Sequence, residues 1–305
     1  MILENEYIGD KMDEMMDFKC INDKMEEIPE IILNKTGLSF PKVHTKAEYM
    51  AVLSKELKEY RKDTLCRVPF CNTVEAETLG GNIKLGDFKS GPRVESYAFN
   101  SIDELMKIEE INLTQNRINE VLKAVEILNS MGETVVLNVE GPFTIINSLV
   151  DLRIFYKAIR KDKEMVNEVL KNMEANIVKY MKEGINRGAK IISYGDPLGA
   201  EDIVGPKIYK EFSGKSTYKI LKTIENELDE SIIHICGKTS TVFQNMGFVE
   251  SHPIQFKEDI TYGHAIEYIL ENRKDIKFIG HNCIKRTPLK LKNSTLWHIE
   301  LLEKV

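Results

Sequence analysis

An alternation of amphipathic helices with continuously apolar strands constrains the fold of this sequence more than any other feature. Apolar residues recur at helical spacing over residues 116–131, and the apolar strand Thr134–Glu140 follows. Asp162 is predicted to cap a second long helix, which leads to an apolar strand over residues 190–195. Strands that are apolar on both faces are typical of parallel sheets covered by helices, so the sequence predicts an α/β fold.

The same alternation of helices and strands continues towards the C-terminus and favours a barrel. Pro206 is predicted to open another helix, and further apolar strands are predicted over residues 231–236, 248–251 and 276–280. About six strands are evident, against the eight of a complete barrel. The predicted architecture is therefore a (β/α)8-type TIM barrel, either complete or shortened by a βα unit.

Two regions are predicted along the chain. Residues 1–62 are expected to form an N-terminal helical extension, and residues 63–305 the catalytic (β/α) barrel domain. A Gly-rich stretch over residues 80–91, with alternating Ile83 and Leu85, predicts a hairpin inside the second region. No Pro/Gly/Ser-rich stretch in the sequence is long enough to be a domain linker.

Charge and apolar content argue against several classes of partner. Lys and Arg total 42 and Asp and Glu total 48, and these charges are interspersed, so nucleic acid is not an expected partner. No apolar run approaches the ~20 residues of a membrane span, and the acidic N-terminus lacks the features of a signal peptide. The protein is therefore expected in the cytoplasm, without a membrane partner. An odd number of cysteines, 5, predicts reduced thiols or metal ligands rather than a disulfide framework.

One histidine and two cysteines form the clearest candidate site. His234 and Cys236 are two residues apart on a predicted strand, so both side chains project to one face and can bind one metal ion. Cys283 follows another predicted strand and would supply a third ligand. Imidazole and thiolate favour zinc, and three protein ligands leave a coordination position for chemistry. The alternative is that both cysteines are ordinary buried thiols and that His234 is a satisfied core histidine.

Two acidic residues also end predicted strands. Glu140 and Asp196 lie, like the three candidate ligands, at or just past the C-terminal end of a strand. In a barrel that edge carries the active site. The two carboxylates are predicted to orient the zinc histidine, to bind the metal or to move a proton, and capping of a following helix is the alternative role.

Several motifs occur in an order that matches a known family. They are residues 36–41 (Thr-Gly-Leu-Ser-Phe-Pro) with His44, 68–80, 140–144 (Glu-Gly-Pro-Phe-Thr), 195–197 (Gly-Asp-Pro), 205–212, His234-x-Cys236, and Cys283 followed by Arg-Thr-Pro-Leu at 286–289. With these motifs the chain resembles the uroporphyrinogen decarboxylase superfamily, and within it the zinc-containing methylcobamide:coenzyme M methyltransferase branch of corrinoid-dependent methyltransferases. The arginine-rich N-terminal sequence that the true decarboxylases use on propionate side chains is absent, which argues against porphyrin decarboxylation.

The resemblance implies a zinc enzyme with a protein partner. In that branch the His-x-Cys pair and a later cysteine bind Zn2+, which assigns the metal to His234, Cys236 and Cys283. The implied reaction moves a methyl group between methylcobamide on a separate corrinoid protein and a small thiol or methoxy/methyl substrate, in a direction that the sequence leaves open. The chain lacks the corrinoid motif Asp-x-His-x-x-Gly, because Ile232 stands where Asp is needed. The fourth zinc ligand stays open between His281, Glu140, water and substrate.

Two other functions remain alternatives. One is a uroporphyrinogen decarboxylase-like tetrapyrrole decarboxylase, which rests on likeness of fold alone. The other is a catalytically idle, shortened barrel that binds a corrinoid or a partner, suggested by the short interval between Gly237 and Cys283. The sequence predicts no oligomeric state.

Overall fold

The computed structural model describes residues 28–303, which contain two sheets. Their strands are β1 Leu65–Val68, β2 Asn82–Lys84, β3 Arg93–Ser96, β4 Thr134–Glu140, β5 Ile191–Gly195, β6 Ile232–Ile235, β7 Val249–Gln255, β8 Phe278–Gly280 and β9 Thr295–Leu301. The α-helices are α1 Glu30–Thr36, α2 Ala47–Arg61, α3 Val74–Thr78, α4 Ile102–Leu105, α5 Asn116–Ser130, α6 Pro142–Leu149, α7 Leu152–Lys161, α8 Lys163–Asn186, α9 Glu201–Val204, α10 Pro206–Ile208, α11 Gly214–Ile224, α12 Gly237–Asn245 and α13 Tyr262–Asn272.

Most predicted elements form where the sequence pattern placed them. The side chain of Asp162 accepts a hydrogen bond of 3.0 Å from the backbone N–H of Met165, so it caps α8 as predicted. Pro206 is the first residue of α10, and β2 pairs antiparallel with β3 in a hairpin whose second strand begins just after the predicted stretch 80–91. Strand β9 was not predicted, because polar residues interrupt its apolar run.

The main sheet has seven strands in the order β1-β4-β5-β6-β8-β9-β7. Strands β1, β4, β5, β6 and β8 run parallel, whereas β9 pairs antiparallel with both β8 and β7. The prediction of an α/β fold with a mostly parallel sheet is therefore confirmed. Within residues 28–303 the hydrogen-bonded ladder has β1 and β7 as its edges and does not join them. The antiparallel pair of β9 and β7 thus occupies the position where a regular barrel would continue with further βα units.

The two faces of the main sheet are covered by different helices. Apolar residues of α2, α5, α8, α11 and α12 pack in the larger core, on one face. On the other face, Ala265, Ile266 and Ile269 of α13 pack against one residue from each parallel strand. Those five residues are Leu65, Val136, Ile191, Ile232 and Ile279. In a closed barrel this second face would be the interior, so α13 shields the apolar surface that the missing strands would otherwise enclose.

Truncation of a side chain in this second core is expected to destabilise the fold strongly. Ile269 is fully buried, so Ile269→Ala removes apolar contacts and leaves a cavity, at a cost of roughly 2–5 kcal/mol in the free energy of unfolding. Chemical denaturation measures the loss. Glu271→Ala, at an exposed position of the same helix, is the matched control and should change stability by less than about 0.5 kcal/mol. If the two variants were equally stable, α13 would not be burying this face.

The N-terminal helices share the larger core. Met50, Leu53 and Leu57 of α2 are buried, and α2 packs against β1 and α5. Residues 1–27 of the predicted extension lie outside the described residues, and the domain boundary at residue 62 stays a prediction. None of the helices described between residues 28 and 303 combines the length and the apolar character needed to cross a membrane.

Candidate active site

The carboxyl ends of β4, β5 and β6 place polar residues on the face that α13 covers. Ser193 pairs with His234 in the ladder, and one step further Glu140 pairs with Gly195, beside which Cys236 follows β6. Since Gly195 has no side chain, the space next to Cys236 stays open: a Cβ atom at Gly195 would lie 3.1 Å from Cβ of Cys236. Glu140 and Cys236 therefore lie on either side of Gly195 at the carboxyl edge of the sheet.

His234 is buried and is held from two sides. Its Nε2 lies 3.0 Å from the carbonyl oxygen of Asn282, and its Nδ1 lies 3.4 Å from Oγ of Ser193. Burial lowers the pKa of His234 to about 4, so the ring is neutral near pH 7. A neutral ring that donates its Nε2–H to Asn282 keeps the Nδ1 lone pair as an acceptor for a proton or a metal.

Tyr262, the first residue of α13, lies beside the candidate ligand His234. Its ring centroid is 5.9 Å from that of His234. Burial, followed by the negative charge of Cys283 and of Cys236, raises the pKa of Tyr262 well above its usual value. That hydroxyl is buried and has no hydrogen-bond partner among the described residues. Tyr262 therefore lies beside His234, and both cysteines influence the ionisation of its hydroxyl.

The donor set suits zinc in its chemistry. Imidazole and thiolate are preferred zinc ligands, and the buried Tyr262 hydroxyl beside His234 has no hydrogen-bond partner among the described residues. Cys236 also precedes α12, whose N-terminal dipole favours a thiolate. In the part of the chain that the structure describes, however, no three His, Cys, Asp or Glu side chains stand close enough together to hold one ion. The neighbourhood fits the metal, but the side chains as placed do not form a closed coordination sphere.

His281, an alternative fourth ligand, directs its ring towards other partners. Its Nε2 lies 2.7 Å from Oγ of Ser251 and 3.0 Å from Oε1 of Gln244. Its Nδ1 lies 3.2 Å from Oγ1 of Thr241. Both ring nitrogens are thus engaged by α12 and β7 rather than by the space around Tyr262.

Asp196 follows β5 and caps α6. Its Oδ1 accepts hydrogen bonds of 2.8 Å from the backbone N–H and from the hydroxyl of Thr144, and its Oδ2 accepts one of 3.1 Å from the N–H of Phe143. Burial raises the pKa of Asp196 to about 6, although these donors oppose the shift. The structure therefore gives Asp196 a capping contact, on a helix that precedes it in the chain rather than on one that follows.

Glu140 lies next to a second buried carboxyl group that sequence reasoning missed. Its backbone N–H donates a hydrogen bond of 2.9 Å to Oε1 of Glu75 in α3. Burial raises the pKa of Glu75 to about 7. Burial also raises the pKa of Glu140, and the charges of Glu75 and Asp196 add to this shift. The position of Glu75 inside the family-like segment 68–80 was the only available signal, since nothing local shows that this glutamate is buried.

Two surface grooves lie away from these residues. One, of about 580 Å³, is lined by Val178 of α8 and Ile220 of α11, and the other, of about 410 Å³, is lined by residues 110–114 and α8. Neither groove includes a residue from the carboxyl ends of the parallel strands. We therefore place the candidate chemistry at the strand ends, where the titratable and thiol groups converge.

The sequence profile of the uroporphyrinogen decarboxylase (URO-D) family matches residues 21–280. The chain belongs to the uroporphyrinogen decarboxylase family. The matched range contains Glu140, Asp196, His234 and Cys236 and stops shortly before Cys283. Family membership thus extends over the strands from β1 to β8.

Similar proteins of this family carry the name methyltransferase. The chain is 26% identical over 219 residues to the methylcobamide:CoM methyltransferase MtaA of Methanosarcina barkeri, covering 70% of this chain and 63% of that protein. It is 29% identical over 212 residues to MtbA of Methanosarcina mazei, covering 68% and 62%. A solved structure of a methyltransferase from Methanosarcina mazei has the same fold, with a TM-score of 0.62, 22% identity and coverage of 77% and 71%. The chain spans about three-fifths of the length of these curated relatives.

Proposed function

We propose that the chain is a zinc-dependent methyltransferase that moves a methyl group between methylcobamide on a corrinoid protein and a small thiol or methoxy/methyl substrate. The placement of His234 and Cys236 at the carboxyl edge of the sheet, with Asn282, the neighbour of Cys283, in contact with the ring of His234, carries the proposal. The names of the relatives support it. Because the match covers only part of those relatives, the substrate and the corrinoid partner belong to the proposal.

The metal in this proposal is Zn2+ held by His234, Cys236 and Cys283. Bound there, zinc would lower the pKa of a substrate thiol and act as a Lewis acid. The chain prepares this site in two ways. The Asn282 carbonyl orients the ring of His234, as backbone oxygens do for metal-binding histidines, and α12 favours the thiolate form of Cys236. Coordination by all three donors requires them to approach one another more closely than the structure places them.

Glu140 is proposed to hold a proton at the edge of the site. Its pKa is raised by burial, Glu75 and Asp196, whereas Lys285 opposes the shift. A raised pKa favours the protonated carboxyl group, which donates a hydrogen bond and does not repel an anionic substrate. Asp196 contributes by position, because its contact with the first turn of α6 fixes the turn that follows Glu140.

Methyl transfer in a purified system tests the proposed function. The zinc-loaded protein is incubated with methylcobalamin and a panel of small thiols, and methyl thioether formation is followed together with the cobalamin spectrum. Transfer to at least one thiol is expected, with one proton released for each methyl group moved. Cys66→Ala is the control, since Cys66 is a buried thiol that packs in the larger core on the other face of the sheet.

Two outcomes would replace this function by an alternative. Formation of coproporphyrinogen from uroporphyrinogen, without methyl transfer to any acceptor, would indicate a tetrapyrrole decarboxylase. Stoichiometric binding of a corrinoid, with no transfer across the whole panel, would indicate an idle binding barrel.

A further inference from the structure

His281 has a backbone conformation that is costly for a residue with a side chain. Its φ angle is +60°, in the left-handed region that favours glycine. Such conformations persist only where surrounding contacts impose them. The residue follows Gly280, the last residue of β8, and directly precedes Asn282 and Cys283, so this turn determines where both of them lie.

The side chain of His281 is buried in a polar network, which we call the His281 clamp. Its members are His281, Ser240, Thr241 and Gln244 of α12, and Ser251 of β7. Ser251 and Gln244 also hydrogen-bond to each other. The ring of Trp297 packs edge-on against the imidazole, with the two centroids 6.0 Å apart. Both ring nitrogens therefore have partners inside the fold.

The clamp connects the turn to the segment that carries the other two candidate ligands. The backbone N–H of His281 donates a hydrogen bond of 2.8 Å to Oγ of Ser240. Ser240 in turn donates from its N–H and its hydroxyl to the carbonyl oxygen of Cys236, at 2.8 Å and 3.1 Å. Two residues further on, the carbonyl oxygen of Asn282 contacts Nε2 of His234 at 3.0 Å. The turn is thus attached to the His-x-Cys segment at both of its ends.

We propose that His281 is a positioning residue, which through the clamp holds Cys283 against the His234–Cys236 pair. This inference rests on the proposed zinc function. It assigns His281 a role outside the ligand set, because its imidazole is occupied by α12 and β7. The placement of Cys283 relative to Cys236 then depends on the imidazole of His281.

Replacement of the imidazole tests the inference. His281→Gly permits the left-handed backbone and keeps the backbone N–H that donates to Ser240, but it removes the imidazole and its contacts with α12 and β7, so a role of the backbone turn alone predicts no effect. We expect the zinc affinity of His281→Gly, measured by competition with a chelator, to fall about 10–100-fold, as when other partners that orient metal ligands are lost. His252→Ala, at an exposed histidine on the neighbouring part of β7, should keep the wild-type affinity.

A metal-free readout separates this inference from the proposed function. Phenylarsine oxide bridges two thiols only when they lie close together, and peptide mapping identifies the bridged pair. We expect the Cys236–Cys283 pair to be bridged in the wild type and much less in His281→Gly. Bridging without any zinc binding in the wild type would leave the clamp intact and end the zinc proposal. Equal bridging and equal zinc affinity in the wild type and the variant would overturn the role of His281.

A second variant covers the case in which His281→Gly fails to fold. Gln244→Leu keeps a side chain of similar size and removes one partner of Nε2. Far-UV circular dichroism confirms folding, and zinc affinity should drop by a smaller factor than in His281→Gly. A folded Gln244→Leu protein with unchanged bridging and unchanged zinc affinity would also count against the clamp.

Discussion

Cys236→Ser and Cys283→Ser are each expected to lose bound zinc and methyl transfer together. A neutral serine hydroxyl is a poor replacement for a thiolate on zinc, so one cysteine less should leave a site too weak to retain the metal through purification. We expect about one zinc per wild-type chain and almost none in either variant, measured by mass spectrometry. The transfer rate should fall at least ~10³-fold, which corresponds to roughly 4 kcal/mol of activation free energy.

The matched control for this prediction is Cys66→Ala. Cys66 is also a buried strand thiol, but its side chain packs in the larger core, and burial raises the pKa of its thiol to about 12. This variant should keep its zinc and its transfer activity. Full zinc content and full activity in Cys236→Ser and Cys283→Ser would show that both residues are ordinary buried thiols and not zinc ligands.

Glu75→Gln is expected to remove a large part of the pH dependence of stability. In the folded protein burial raises the pKa of Glu75 from 4.5 to about 7. Between these values the folded state holds a proton that the unfolded state has released, so the wild type loses stability as the pH rises from about 4.5 to above 7. The shift corresponds to on the order of 3 kcal/mol. Glutamine stays neutral and keeps an oxygen acceptor for the N–H of Glu140.

Denaturation at several pH values measures this effect. At pH 4 the wild type and Glu75→Gln should have similar free energies of unfolding, and at pH 8 the variant should be the more stable of the two. Glu48→Gln, at an exposed position of α2, should follow the wild type at every pH. A variant curve parallel to the wild-type curve from pH 4 to pH 8 would show that Glu75 ionises normally. Glu140 and Asp196 remain in the variant, so a residual slope is expected.

The local sequence pattern was sufficient to predict most helices and strands and to place His234 and Cys236 on the same face of a strand. The two-residue period of a strand puts both side chains on one face whatever the rest of the fold does. Thr134–Glu140 was predicted with its observed limits, because its apolar run is bounded by Gly132 and Gly141. Such features depend on residues that are close in sequence, and they need no knowledge of the tertiary arrangement.

Contacts between distant segments were beyond the reach of the sequence. The cap that Asp196 provides for α6 joins residues more than 50 positions apart, and an aspartate after a strand gives no sign of which helix it will meet. Glu75 looks like any polar residue of a short helix until its burial is seen. The predicted (β/α) barrel would have its helices on the outside, whereas the structure packs α13 on the opposite face to the other helices.

Helix α13 both protects the sheet against aggregation and contributes to the candidate site. Its apolar side chains cover a strip of strand residues that would otherwise be exposed, and exposed apolar strands invite association between chains. The same helix begins with Tyr262, which packs against the ring of His234. A local unfolding event that displaces α13 would therefore expose this apolar surface and disrupt the candidate site at the same time.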